Sequence, residues 1–457
     1  MLPINPKIFK AYDIRGIYGQ DFNDDLAYRL GLAFVELRKQ DPDYIAGSKL
    51  RLAVASDMRL SSPALKESLI KGLLAAGVEV IDLGLVATPS FYFAVGYHNY
   101  DGGIMVSASH NPKEWNGFKL VRAKGVPVSG ETGIMLLKEK ILANEFTLAT
   151  TPGTLTSQPD TLTEELDYTW KLVDKASLKK FKLVADTANS MGSVYLKKLL
   201  TDLGGEFIII NEDLDGTFPS HEADPLKEEN LKQLQQAVIS HQADLGIATD
   251  GDGDRVFFVD NLGQPINQAI VRGLLAKSFL QDQPGAKIGY DVRPGKITAD
   301  LITAHGGLPI VTRVGHSLIK EQMIEENIFF AGESSGHFYF NSPLGCFEFP
   351  ALMILKLLSV FSTNDQPIAE QVKPYQKYFL SGEINRSVDD IQKVFTDIKE
   401  AYADGEITKL DGLSVAYPDF WFNVRASNTE PKMRLNLEAI SPEKMEEERD
   451  RVLKLMN

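Results

Sequence analysis

Three aspartates alternate with glycine in Thr249-Asp250-Gly251-Asp252-Gly253-Asp254, and Arg255 follows at once. Like charges this close repel unless a cation neutralises them, and hard carboxylate oxygens suit Mg2+ or Ca2+. The run Ala243 to Thr249 reads as a strand, so the acidic loop belongs at that strand's carboxyl end. Alternation in an extended segment would aim Asp250, Asp252 and Asp254 the same way. The glycines let the backbone turn tightly around an ion. The plainer alternative is a solvated acidic turn. An EF-hand does not fit, because that loop needs glycine at its sixth place and glutamate at its twelfth. Here those places hold Arg255 and Asn261. Arg255 suggests instead that an anion shares the site.

Three other segments offer chemistry. In Val106-Ser-Ala-Ser109-His110-Asn111-Pro112, small and hydroxyl residues end in an Asn-Pro turn. Ser109 is either an exposed nucleophile or part of a plain Ser/Asx turn. Lys119 follows on Gly117 to Leu120 and could meet an anion. In Gly332-Glu333-Ser334-Ser335-Gly336-His337 there is a formal Gly-x-Ser-x-Gly, the signature of a serine hydrolase. That elbow needs a helix after its serine, whereas Phe338-Tyr-Phe340 reads as a strand. Glu333 and Ser335 suit the hydroxyls of a polyol, and His337 is an acid/base or phosphate contact or a packed histidine. Arg425-Ala-Ser427-Asn428-Thr429 groups a guanidinium, two hydroxyls and an amide in one turn, which is anion-binding chemistry. Tyr12-Asp13-Ile14-Arg15, Asp291-Val-Arg293 and Gly315-His316 are weaker signals. His110, His316 and His337 lack zinc-ligand spacing.

The elements that must position these residues repeat. Leu52 to Asp57, Lys182 to Asp186 and Lys287 to Asp291 are apolar runs ending in aspartate. Each leads through a loop into a helical pattern, a glycine stop near Gly77, Gly204 or Gly306, and a second strand. Strand–helix–strand units predict sheets with parallel pairs and helical cover. Thr147 to Thr163 is rich in Thr, Pro, Ser and Gly and reads as a linker. After Tyr375 the pattern changes to a strand over 382–388, a helix over 391–402, an Asp411-Gly412 hairpin turn and a last helix capped by Ser441-Pro442. The expected fold class is α/β: three similar α/β domains with mixed sheets (1–154, 155–263 and 264–370), plus a C-terminal α+β domain (371–457), around a central cleft.

Composition limits the partners. Among 457 residues, 44% are hydrophobic and 24% charged, with a formal net charge of −14, so nucleic acid and anionic membrane are poor partners. The single cysteine, Cys346, excludes an intrachain disulfide and fits a reducing compartment. Ala351 to Phe361 is too short to span a bilayer and reads as a buried helix. No secretory signal pattern opens the sequence. A cytoplasmic protein, a monomer or weak homo-oligomer, is expected.

The Ser109, Asp250–Arg255, Glu333–His337 and Arg425–Thr429 segments, in this order, resemble the phosphoserine, metal, sugar and phosphate loops of the α-D-phosphohexomutase superfamily. The likeness is greatest to its bacterial phosphomannomutase/phosphoglucomutase group, and the opening Phe9 to Gly16 also matches. The resemblance implies reversible conversion of hexose 6-phosphate to hexose 1-phosphate, of mannose or glucose, through a hexose 1,6-bisphosphate. It implies phosphate on Ser109 and one Mg2+ per chain held by Asp250, Asp252, Asp254 and the phosphoserine. Arg255 would add donors there, with His110 beside the serine. Tyr12, Arg293, His316, Glu333, Ser335, Arg425, Ser427, Asn428 and Thr429 would bind substrate. Lys119, Arg15, His316 and His337 stand as candidate proton acceptors. A glucosamine or N-acetylglucosamine phosphate mutase is the nearest alternative. Two departures from the family pattern are Phe347-Glu348-Phe349, where many members have Asp-Asp, and Arg293, where lysine is common.

Overall fold

The structure is a computed structural model that describes residues 3–158, 160–426 and 432–456. By contacts the chain divides into two units, Met1–Ile266 with Ser335–Ala369, and Asn267–Ser334 with Glu370–Asn457.

The first unit contains two mixed sheets. Strands β1 (Ile14–Ile17), β2 (Arg51–Ser56), β3 (Glu79–Leu85), β4 (Gly102–Val106), β5 (Trp115–Arg122) and β6 (Thr154–Ser157) lie in the order β1-β5-β4-β2-β3-β6. β2 runs parallel to β3 and β4, while β5 is antiparallel to β1 and β4. Central β4 is buried along its whole length, as expected of a strand covered on both faces. The second sheet has β7 (Lys182–Asp186), β8 (Glu206–Ile210), β9 (Leu245–Thr249) and β10 (Val256–Asp260) in the order β10-β9-β7-β8. Only the β9–β10 pair is antiparallel.

In the second unit β11 (Lys287–Asp291) runs parallel to both β12 (Leu308–Thr312) and β13 (Phe330–Gly332). The antiparallel hairpin of β14 (Phe338–Ser342) and β15 (Gly345–Glu348) belongs to the first unit. So does the helix Pro350–Phe361, which packs on helices Thr161–Trp170 and Gly192–Leu203. The C-terminal sheet is antiparallel: β16 (Phe379–Ser387), β17 (Glu406–Thr408), β18 (Leu413–Ala416), β19 (Phe420–Ala426) and β20 (Lys432–Ala439), in the order β16-β20-β19-β18-β17. Helices Ile391–Ala401 and Pro442–Leu455 share its apolar core, and Ser441 Oγ caps the latter at Lys444 N. The β17–β18 hairpin turns at Asp411-Gly412.

The three repeats are real. Asp57, Asp186 and Asp291 each close the same short loop, with Oδ1 accepting the N–H two residues on at 3.0, 3.0 and 3.1 Å. The stretch read as a linker needs one correction. It contains β6, which pairs with β3, and the start of helix Thr161–Trp170. All four β6 side chains are exposed, so no alternation marked the strand. No described helix is long and apolar enough to cross a membrane.

Candidate active site

The first unit brings together Ser109, the three aspartates, Lys119, Arg255 and His337. Ser109 follows β4 with φ +51, a left-handed conformation that is costly for a side chain with a Cβ. It is 1% exposed, and its Oγ donates to Asp250 Oδ2 at 2.8 Å and lies 3.2 Å from His110 Nδ1. Its own N–H donates to Ser107 Oγ at 3.0 Å.

The acidic loop leaves β9 but does not stay extended. Asp250 Oδ1 accepts the N–H groups of Asp254 and Arg255, and Gly253 takes φ +76. The carboxylates therefore converge because the backbone curls around them, not because alternate residues share a strand face. A Cβ at Gly251 would lie 2.3 Å from the carbonyl oxygen of Ser109, so only glycine allows this approach. One carboxylate oxygen from each of Asp250, Asp252 and Asp254 lies within 4.8 Å of the others, and all three residues are buried. Burial, then the charges of Asp254 and Asp252, pushes Asp250 up to about 7. Asp252 Oδ2 accepts from Thr88 Oγ1 at 2.6 Å, but its buried Oδ1 has no hydrogen-bond partner among the described residues. Mutually repelling hard oxygens with an orphaned acceptor fit a divalent cation of the Mg2+ type.

Lys119 on β5 supplies positive charge to this cluster. Its Nζ lies 2.6 Å from Asp252 Oδ2 and 2.5 Å from Asp254 Oδ2. Burial alone would favour the neutral amine, but the two aspartates outweigh it and hold Lys119 well above the usual lysine range. Asp254 shows the converse: burial would raise it, and Lys119 and His337 hold it well below the carboxylate range. The His337 Nε2 sits 3.3 Å from both Arg255 Nε and Asp254 Oδ1, and its Nδ1 is 3.0 Å from Ser335 Oγ. A neutral ring can accept from Arg255; a protonated one pairs with Asp254. Burial, then the charges of Arg255 and Arg15, pushes His110 well below the histidine range, so its ring is neutral. Arg15 on β1 donates to Ala108 O and Asn111 Oδ1 and pairs with Asp13 at 2.5 Å. Tyr12 lies half-buried in the bend before β1. Phe347 and Phe349 pack at tilted angles against Tyr92 and Phe93, while Glu348 is buried in reach of Asp254 and His337.

The second unit holds a separate polar cluster. Asp291, at the end of β11, accepts from Arg293 Nη2 at 2.6 Å and from Ser334 N at 2.7 Å and Oγ at 3.0 Å. Arg293 Nη2 also reaches Glu333 Oε1 at 3.0 Å, and Gly315 N donates to the same oxygen. Burial works against the Arg293 charge, but Asp291 and Glu333 outweigh it and raise its pKa. Ser334 Oγ donates to Asp291 Oδ1 and accepts from Arg272 Nη1. His316 opens the helix His316–Glu326. Arg425 on β19 donates to Glu383 at 2.7 Å. Ser427, Asn428 and Thr429 lie outside the described residues. Sequence reading missed Thr88, Arg272 and Glu383. Their partners lie far along the chain, so spacing carries no trace of them. Arg59 had a trace, in the repeat: it stands two residues after Asp57 as Arg293 does after Asp291.

Four family profiles match the chain in order: phosphoglucomutase/phosphomannomutase α/β/α domain I at residues 6–147, domain II at 160–263, domain III at 269–378, and the C-terminal domain at 383–455. Relatives include a Xanthomonas campestris protein named for phosphohexose mutases, and Escherichia coli phosphomannomutase. Each is 38% identical, with 94% of both chains covered. A Methanocaldococcus jannaschii phosphomannomutase is 36% identical over 98% of this chain and 97% of its own. Among solved structures, a phosphoglucomutase/phosphomannomutase family protein of Burkholderia thailandensis superposes with a TM-score of 0.87 at 32% identity, covering 99% of this chain and 98% of its own.

Proposed function

The chain belongs to the phosphoglucomutase/phosphomannomutase family and is a phosphohexomutase, an isomerase; on that premise we propose that it interconverts the 6- and 1-phosphates of mannose and glucose through a phosphoryl group carried on Ser109. The observation that carries this reading is the Ser109 hydroxyl, buried and donating at 2.8 Å to Asp250 of the acidic triplet. Asp250, Asp252 and Asp254 would hold Mg2+, which when bound offsets negative charge on the transferring group.

The other residues have separable duties. Lys119 is a fixed cation, held charged by two aspartates, and not a proton acceptor. Arg255 faces the same space and is suited to the oxygens of the transferring phosphoryl group. The substrate hydroxyl attacks phosphorus and the Ser109 Oγ–P bond breaks. His337 Nε2 takes the hydroxyl proton, and the resulting imidazolium pairs with Asp254. The hexose 1,6-bisphosphate then presents its other phosphate, which returns to Ser109 by the reverse transfer. Glu333 and Ser335 would hold two sugar hydroxyls in either orientation, with Arg293 fixing the Glu333 carboxylate. Arg425, with Ser427, Asn428 and Thr429, would hold the phosphate not being transferred. Ser109→Ala tests the reading. Turnover of mannose 1-phosphate and glucose 1-phosphate should vanish with the fold intact; near-normal turnover would end the phosphoserine proposal.

A further inference from the structure

Arg59, which lies in the loop after β2, is buried at 1% exposure. Its Nη1 donates to the carbonyls of Pro112 at 2.8 Å and Trp115 at 3.0 Å. Its Nη2 donates to those of Ser109 at 2.8 Å and Asn111 at 2.6 Å. One guanidinium thus ties together the loop that presents Ser109. Asp57 lies 3.3 Å from Nε and balances the charge. Asp57 is itself fixed by Ser62 Oγ at 2.6 Å and by the Arg59 N–H. On the other side the Phe218 ring centroid is 5.1 Å from the guanidinium carbon. Phe218 takes φ +50 to lie there, a conformation that costs a bulky residue energy.

We propose that Arg59 is the positioning residue of the phosphoryl-carrying serine: a planar template of four donors on which residues 109–115 are wound, so that the Ser109 hydroxyl meets Asp250. The inference rests on the reading of Ser109 given above. Burying an ion pair is a poor way to gain stability alone, because desolvation offsets most of the attraction. What a buried guanidinium supplies is geometry, since its donors point in fixed directions. Ser109 is held left-handed, its carbonyl packed against Gly251 and clasped by Nη2, so its hydroxyl has little freedom to swing. The repeat supports the assignment. Arg293, the equivalent of Arg59 in the third repeat, bridges Asp291 to Glu333 and aims another functional side chain. Lysine at position 59 has a single nitrogen and cannot reach four carbonyls in one plane.

The test is Arg59→Lys in the full chain, with Asp57→Asn as a second variant that removes the counter-charge and keeps the shape. Intact mass after loading with glucose 1,6-bisphosphate reports phosphate on Ser109, and rapid-quench assays report its transfer to glucose 1-phosphate. The transfer rate should fall about 100-fold, the expected effect of displacing a reacting atom by about an ångström. KM should change less than about threefold, because no substrate contact is lost. Folded Arg59→Lys protein that transfers phosphate at the wild-type rate would overturn the inference, as would a loss confined to KM. If Arg59→Lys does not fold, the same criteria apply to Asp57→Asn. Failure of the underlying reading looks different: wild-type enzyme would then take up no phosphate at Ser109.

Discussion

Glu165→Gln should stabilise the protein at pH 8 and not at pH 4. Glu165 sits on helix Thr161–Trp170, 1% exposed, with its carboxylate on the Ser90 hydroxyl. No basic side chain pairs with it among the described residues, and burial lifts its pKa from 4.5 to about 7. Because the folded pKa is raised, the folded state keeps a proton that the unfolded chain has released. Stability is therefore full below about pH 4.5 and declines until about pH 7. At 1.36 kcal/mol per pKa unit the loss approaches about 3 kcal/mol. Glutamine keeps the hydrogen bond to Ser90 and cannot ionise. Urea denaturation followed by tryptophan fluorescence is a suitable assay, since Trp170 ends the same helix. The wild type minus variant difference should be near zero at pH 4 and about 3 kcal/mol in the variant's favour at pH 8. A difference that does not change with pH would refute the argument, because other titrating groups are common to both proteins.

Other expectations concern the site. Asp252→Asn should remove most turnover and flatten its dependence on Mg2+, read by titrating metal into enzyme stripped with chelator; an unchanged titration would refute the ligand assignment. Gly251→Ala should lower kcat about 100-fold while circular dichroism stays native, because the new methyl would press on the Ser109 carbonyl 2.3 Å away. Arg293→Lys should raise KM for hexose phosphates about tenfold, since one ammonium cannot hold both Asp291 and Glu333 as the guanidinium does.

What could be read from the sequence was local. The apolar runs of β2, β7 and β11 each end in an aspartate and lead to a glycine-stopped helix, so the repeat and its three α/β domains were visible. The four chemical segments were visible for the same reason, each being a few contiguous residues. Contacts between distant residues were not. Nothing near Lys119 announces that its ammonium lies between Asp252 and Asp254, over 130 positions later. The convergence of the aspartates was foreseen for a geometric reason that does not hold: the loop curls back on Asp250 Oδ1 and is not extended. β6 escaped notice because an edge strand with four exposed side chains has no pattern to show. Arg293, read as a departure from the family pattern, is the centre of an ion-pair network and keeps charge at its position.

The central claim is that Ser109 lends and recovers a phosphoryl group. Its most direct measurement is the intact mass of the purified enzyme before and after excess mannose 6-phosphate, with the modified residue located by peptide fragmentation. The account predicts an increment of one phosphoryl group on Ser109 that is lost to the sugar and restored by glucose 1,6-bisphosphate. An active enzyme that carries no such increment in either state, or carries it on another residue, would contradict it.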